Sequence, residues 1–200
     1  MTSTTDTPGR VDPRPPFRAQ PLGGPPAERL ARLTPVVDAL RETDAAAERD
    51  RVLQYDAVAA IRETGVLALR VPVRYGGPGG SVREVLTAVI RIARGSSNVA
   101  QALRPHFGFT ERLLSNRAVE AERQEWFPRV NTGIIVGNAI TDAKGKAPAG
   151  SDATLLADGG GVLRLNGYKF YSTGTLFADL IAVSATDAEG RDLQAVVPAD

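Results

Sequence analysis

The sequence predicts an α+β chain, with an α-helical domain first and an antiparallel β-barrel or sandwich after it. Two periodicities carry this expectation. From Ala27 to about Val130 apolar residues recur at helical spacing, and after Val130 the period becomes strand-like. The pair Asn166-Gly167 inside the second half adds a two-residue hairpin signal. Helices first and strands second point to segregated layers, not to alternating βαβ units. The expected boundaries are a tail over 1–26, a helical domain over 27–130 and a β domain over 131–200.

The tail holds half of the chain's 14 prolines. Proline fixes φ and removes a donor, and few apolar groups accompany it, so Met1 to Pro26 is expected to be disordered. Leu30, Leu33, Val37 and Leu40 then mark a first helix that Pro35 begins or interrupts. Asp50 to Thr64 reads as a second helix, with Leu53, Ala57, Val58 and Ile61 on one face and Gly65 closing it. Ser81 is an N-cap for a third helix, whose stripe is Val82, Val85, Leu86, Val89, Ile90 and Ala93. Ser97 to Leu114 forms a fourth. Its internal Pro105, at a cost of about 3 kcal/mol, is expected to kink or divide it. A short amphipathic helix over Val119 to Phe127 completes this half. The glycines of Tyr75-Gly76-Gly77-Pro78-Gly79-Gly80 lack the Lys-Ser/Thr of a P-loop and the dinucleotide spacing, so no phosphate cradle is expected there.

In the second half Ile134-Ile135-Val136 is a β-branched run. Val162 to Leu165 leads into Asn166-Gly167, with Tyr168 to Thr173 as the return strand. Leu180 to Val183 and Ala195 to Val197 are two further strands, joined across Asp187 to Asp192.

Composition excludes several function classes. Lys plus Arg number 24 and Asp plus Glu 23, so the charge balance argues against a general electrostatic role on nucleic acid or anionic membrane. The absence of cysteine excludes disulfides, thiolate chemistry and Cys-based metal sites. A single histidine excludes an all-histidine metal site, and no clustered carboxylate motif suggests a metal of another kind. No run of about 18 apolar residues suggests a membrane span. No apolar stretch follows the N-terminal charges, so a cytoplasmic location is the expectation.

Two local segments carry a resemblance. The first is Gly65-Val66-Leu67 through Val71-Pro72 and Tyr75-Gly76-Gly77. The second is Leu165-Asn166-Gly167-Tyr168-Lys169-Phe170 with Tyr171-Ser172-Thr173-Gly174, followed by Ala178-Asp179. Both are similar to segments of the acyl-CoA dehydrogenase superfamily, the second to its flavin-facing hairpin. The form Phe-Tyr-Ser-Thr-Gly resembles the monooxygenase branch, which includes dibenzothiophene monooxygenase and the sulfur-acquisition oxidoreductases. Gly137-Asn138-Ala139 and His106-Phe107 also look like that branch. Dehydrogenases tend to carry Thr-Glu where this chain has Thr141-Asp142. The resemblance runs from about Ala27 to Asp200. It implies N-terminal and middle domains only, with the family's C-terminal helical bundle absent. Whether these residues are active alone stays open.

The resemblance implies a flavin, FMN in preference to FAD, and a separate flavin reductase. It also implies a small substrate, such as an organosulfur compound, and a homo-oligomer, a tetramer, at full length. It assigns cofactor contacts to Asn138, Ala139, Thr141, Tyr171, Ser172 and Thr173, where hydroxyls, amides and an aromatic wall would meet the flavin. Without it, the same residues read as ordinary hairpin and turn chemistry. Ser172 and His106 are the implied catalytic residues, His106 as a proton donor at the flavin. His106 shares a helical stripe with Val99, Leu103, Thr110 and Leu113, so by spacing alone it is a core histidine. Family members often place a tyrosine where Thr110 stands. The loop of Asp142, Lys144 and Lys146 is solvated surface or a support for the flavin phosphate. Two other readings stay open: an FAD-dependent acyl-CoA dehydrogenase, and a non-catalytic remnant that binds partners.

Overall fold

The computed structural model describes residues 23–142, 153–157 and 163–199. The expected tail, as far as residue 22, and the Lys144–Lys146 loop lie outside the described residues. Helix α1 spans Pro26–Asp50, with proline at its first position, where a missing N–H costs nothing. It continues through Pro35. That residue is exposed, while Leu33, Val37 and Leu40 bury the opposite face and hold the helix across the lost bond. The helix stops where Arg51 turns left-handed at φ 56°. The next helix, α2, is therefore Tyr55–Thr64 and not Asp50 to Thr64. Leu53 lies outside it and is exposed.

Helix α3 is Val82–Gly95. Its start is a capping box, in which the Glu84 N–H donates to Ser81 Oγ at 3.3 Å and the Ser81 N–H donates to Glu84 Oε2 at 2.6 Å. Its buried face is Val85, Ala88, Ile92 and Gly95. Val82, Leu86 and Ile90 of the expected stripe stay exposed, because the apolar band is wider than the contact with α1 and α4. Helix α4 is Ser97–Leu114, one helix despite Pro105. The buried Leu103, His106 and Phe107 on either side hold it together. Val99, Leu103, His106, Thr110 and Leu113 are all buried, as their spacing requires. Helix α5, Glu120–Asn131, runs past the expected end and includes Pro128.

The strands are β1 (Val136–Ala139), β2 (Ala153–Ala157), β3 (Leu163–Gly167), β4 (Leu180–Thr186) and β5 (Asp192–Pro198). They form a mixed sheet, not an antiparallel one. Strand β4 is its centre. It pairs antiparallel with β5 along its whole length, parallel with β1 over Leu180–Val183, and parallel with β2 at Thr186. Parallel pairing needs a long connection, and the chain between β1 and β4 supplies one. The turn expected at Asn166-Gly167 is also corrected. Both residues pair with β2, opposite Thr154 and Ala153. The following segment crosses instead to Thr141, whose carbonyl accepts from the Phe170 N–H at 2.7 Å.

The helical and β halves share their cores. Ile135, Phe177 and Ala178 pack with α1 to α4, and Val136 and Ala182 pack with Phe109, Leu113 and Phe127. One ion pair fastens this seam. Arg62 donates through Nη2 to Asp179 Oδ2 at 3.0 Å, and the same carboxylate accepts from the Ile135 N–H at 2.6 Å. No helix among the described residues is long and apolar enough to cross a membrane.

Candidate flavin-facing site

Most of the residues assigned by resemblance come together where β1 ends. The Asn138 N–H donates to the Thr173 carbonyl at 3.1 Å, and Ser172 Oγ donates to the Asn138 carbonyl at 3.3 Å. Thr141 joins the same segment through Phe170. Thr175 Oγ1 closes the segment on itself by donating to the Ser172 carbonyl at 3.1 Å. A largely buried ion pair between Lys169 and Asp142 ties its start to the residue after Thr141. Ala139 differs from the others. Its side chain packs with Ala153, Val183 and Ala185 in the core.

The segment takes this path because of Gly174. Its φ is +79°, and a Cβ there would fall 2.1 Å from the Ala102 carbonyl of α4. Only glycine lets the loop lie on that helix. Upstream, Tyr171 adopts φ 56° and exposes its ring. Phe170 stands beside it, edge to face at 6.1 Å, and is half exposed. The N–H groups of Tyr171, Ser172, Thr173 and Gly174 have no partner among the described residues. Two aromatic rings and four open donors thus occupy one short stretch of chain.

This cluster borders a cleft of about 580 Å³ between α3, α4 and the sheet. Its walls include the exposed face of α3, at Val82 and Leu86, and Ile140 beyond β1. Asn138 lines it, and the Asn138 side-chain amide has no partner among the described residues. Arg104 and Gly108 of α4 also line it. The sequence reading missed both. The available signal was a glycine inside a helical pattern, which costs about 1 kcal/mol and calls for a packing or functional reason.

His106 lies elsewhere. Its side chain is fully buried, with Nε2 2.9 Å from the Leu67 carbonyl and Nδ1 3.4 Å from the Val136 N–H. These partners fix the tautomer: Nε2 carries the proton and donates, and Nδ1 accepts. Burial pushes its pKa down to about 4, so the ring is neutral at physiological pH. A proton donor at the flavin needs a ring nitrogen facing the ligand, and both nitrogens are engaged inside the core.

Residues 31–134 match the family model described as acyl-CoA dehydrogenase, N-terminal domain. Among curated proteins the chain is similar to the putative acyl-CoA dehydrogenase YdbM of Bacillus subtilis. Identity is 25% over 79% of this chain and 42% of that protein. It is also similar to the probable FMNH2-dependent monooxygenase SfnC of Pseudomonas putida, at 26% over 70% of this chain and 34% of the relative. Among solved structures it resembles TdsC from Paenibacillus sp. A11-2 in complex with FMN and indole. The TM-score is 0.73 at 25% identity, over 86% of this chain and 44% of TdsC. The chain therefore spans less than half the length of each of these relatives.

Proposed function

The chain belongs to the acyl-CoA dehydrogenase family through its N-terminal domain, and from that premise we propose that it forms the flavin-facing part of an oxidoreductase of the monooxygenase branch. The observation that carries this reading is the Asn138 cluster. A flavin ring needs an apolar surface to stack on, donors for its carbonyl edge, and a wall that keeps water out. Phe170 and Tyr171 offer the surface, the open N–H groups of Tyr171 to Gly174 and the Asn138 amide offer the donors, and the apolar cleft offers the wall. The residues therefore fit the cofactor. FMN bound to TdsC and the FMNH2 dependence given for SfnC support FMN over FAD and a separate reductase.

Reduced flavin would supply the electrons that activate dioxygen, one atom passing to the substrate and the other leaving as water. The chain's own residues orient, donate and exclude water. Ser172 and Thr173 hold the flavin edge with hydroxyls and amides, and Asn138 contributes its side-chain amide. The Thr141 carbonyl keeps Phe170 in place, and Ala139 acts only through its backbone. His106 is a positioning residue in this account. It links Leu67 to Val136 and so fixes the strand that carries Asn138.

Similarity to YdbM favours a second reading, an FAD-dependent dehydrogenase of acyl thioesters. One titration tests the first. The native gene product is mixed anaerobically with photoreduced FMN. Saturable binding of one flavin per chain is expected, with affinity falling at least about tenfold in Asn138→Leu as a buried hydrogen-bonded edge is lost. Binding that ignores this substitution would remove the cluster from the site. Preference for FAD with turnover of an acyl thioester would favour the second reading.

A further inference from the structure

The cleft beside Asn138 carries a charge that the flavin does not use. Arg104, Gly108, Glu111 and Arg112 lie along one face of α4, a turn apart, and all line the cleft. Glu111 accepts from Arg70 Nε at 2.6 Å. Arg112 is paired with Glu122 at 3.2 Å and lies over the Phe109 ring. Arg104 is exposed, and no hydrogen bond or ion pair joins its side chain to any described residue. Of the charged groups lining the cleft, it alone has no counter-charge among the described residues. One turn on, Gly108 leaves open space: apart from its chain neighbours and the adjoining backbone of α4, no heavy atom lies within 4 Å of where its Cβ would be. Glycine within a helix costs about 1 kcal/mol against alanine. The position thus gives up helix stability where a side chain would stand in the cleft. The facing surface, at Val82, Leu86 and Ile140, is apolar.

We propose that this cleft takes small molecules with an apolar body and one anionic group, a carboxylate, sulfinate or sulfonate. The body lies over Gly108 and the anion pairs with the Arg104 guanidinium, whose planar fork matches two oxygens at once. Arg104 is then the specificity-determining residue. This deepens the reading of the cleft as a substrate site and rests on it for the word substrate, but the anion preference is measurable without flavin.

The test is a fluorescence titration of the chain with 8-anilinonaphthalene-1-sulfonate and with N-phenyl-1-naphthylamine, which has the same rings and no sulfonate. Arg104→Gln is expected to weaken the sulfonate dye at least about tenfold while changing the neutral dye less than about twofold. Arg104→Lys should keep most of the preference, and Gly108→Leu should weaken both dyes by filling the floor. Circular dichroism checks that each variant folds, as expected of an exposed arginine whose side chain has no partner among the described residues and of a glycine with open space beside it. An unchanged sulfonate affinity in Arg104→Gln, or an equal loss for both dyes, overturns the proposal. If the dye pattern holds while reduced FMN fails to bind the native product, the anion site stands and the flavin reading falls.

Discussion

Replacing His106 by leucine separates a structural histidine from a catalytic one. The substitution keeps an apolar side chain in the core but strands two buried partners, the Leu67 carbonyl and the Val136 N–H. Each orphaned group costs roughly 1–3 kcal/mol, so the variant should lose about 2–6 kcal/mol at pH 7. The wild-type imidazole adds a pH signature. Its folded pKa of about 4 lies below the unfolded value of 6.5, so on acidification the unfolded chain takes the proton first. The histidine's contribution is fully present above 6.5 and is lost between 6.5 and about 4. At pH 5 that loss is about 2 kcal/mol for the wild type and absent in His106→Leu. The stability gap between the two proteins, from urea unfolding, should therefore narrow by about 2 kcal/mol from pH 7 to pH 5. Because the chain has one histidine, proton NMR can follow the same titration directly. A constant gap, or a ring that titrates near 6.5, would refute the buried, doubly bonded histidine.

Three further outcomes follow from the same geometry. Gly174→Ala must place a Cβ against the Ala102 carbonyl at positive φ. It should cost about 2–5 kcal/mol in urea unfolding and abolish flavin binding with it. Asp179→Ala strands the buried Arg62 and the Ile135 N–H, and should lower stability by about 3–5 kcal/mol. Ser81→Ala removes the α3 cap and should cost about 1 kcal/mol in thermal unfolding. The Glu84 carboxyl is held below its usual range, first by the Ser81 N–H and then by its hydroxyl. The support of this cap is thus present at neutral pH and falls away as pH drops through the lowered pKa.

The helical half was legible because burial on one face imposes a period. The stripe from Val99 to Leu113 and the Ser81 cap are where spacing puts them. Helix ends were less legible. Arg51 closes α1 in a left-handed conformation that glycine or asparagine would have signalled, and Pro35 and Pro105 are carried through by packing that no local propensity records. The mixed sheet was not legible, since a β-branched run such as Leu180 to Val183 says nothing of its partners' direction. Asn166-Gly167 misled for the same reason: its turn chemistry is local, and the pairing of β3 with β2 overrode it. The site divides similarly. Resemblance marked Asn138 and Ser172, but the bonds that unite them join residues far apart in sequence. Arg104 gave no sequence signal apart from its place one turn before a helical glycine.

Flavin is proposed to sit on the segment from Tyr171 to Gly174 and on Asn138. Hydrogen–deuterium exchange of the native gene product, with and without photoreduced FMN under anaerobic conditions, tests it most directly. The N–H groups of Tyr171 to Gly174 have no partner among the described residues, so they should exchange quickly in the free protein. FMN is expected to slow exchange in peptides covering 136–142 and 168–176, and Asn138→Leu should need at least about tenfold more FMN for the same protection. Protection confined to peptides outside these two, or no change in either peptide at saturating FMN, would contradict it.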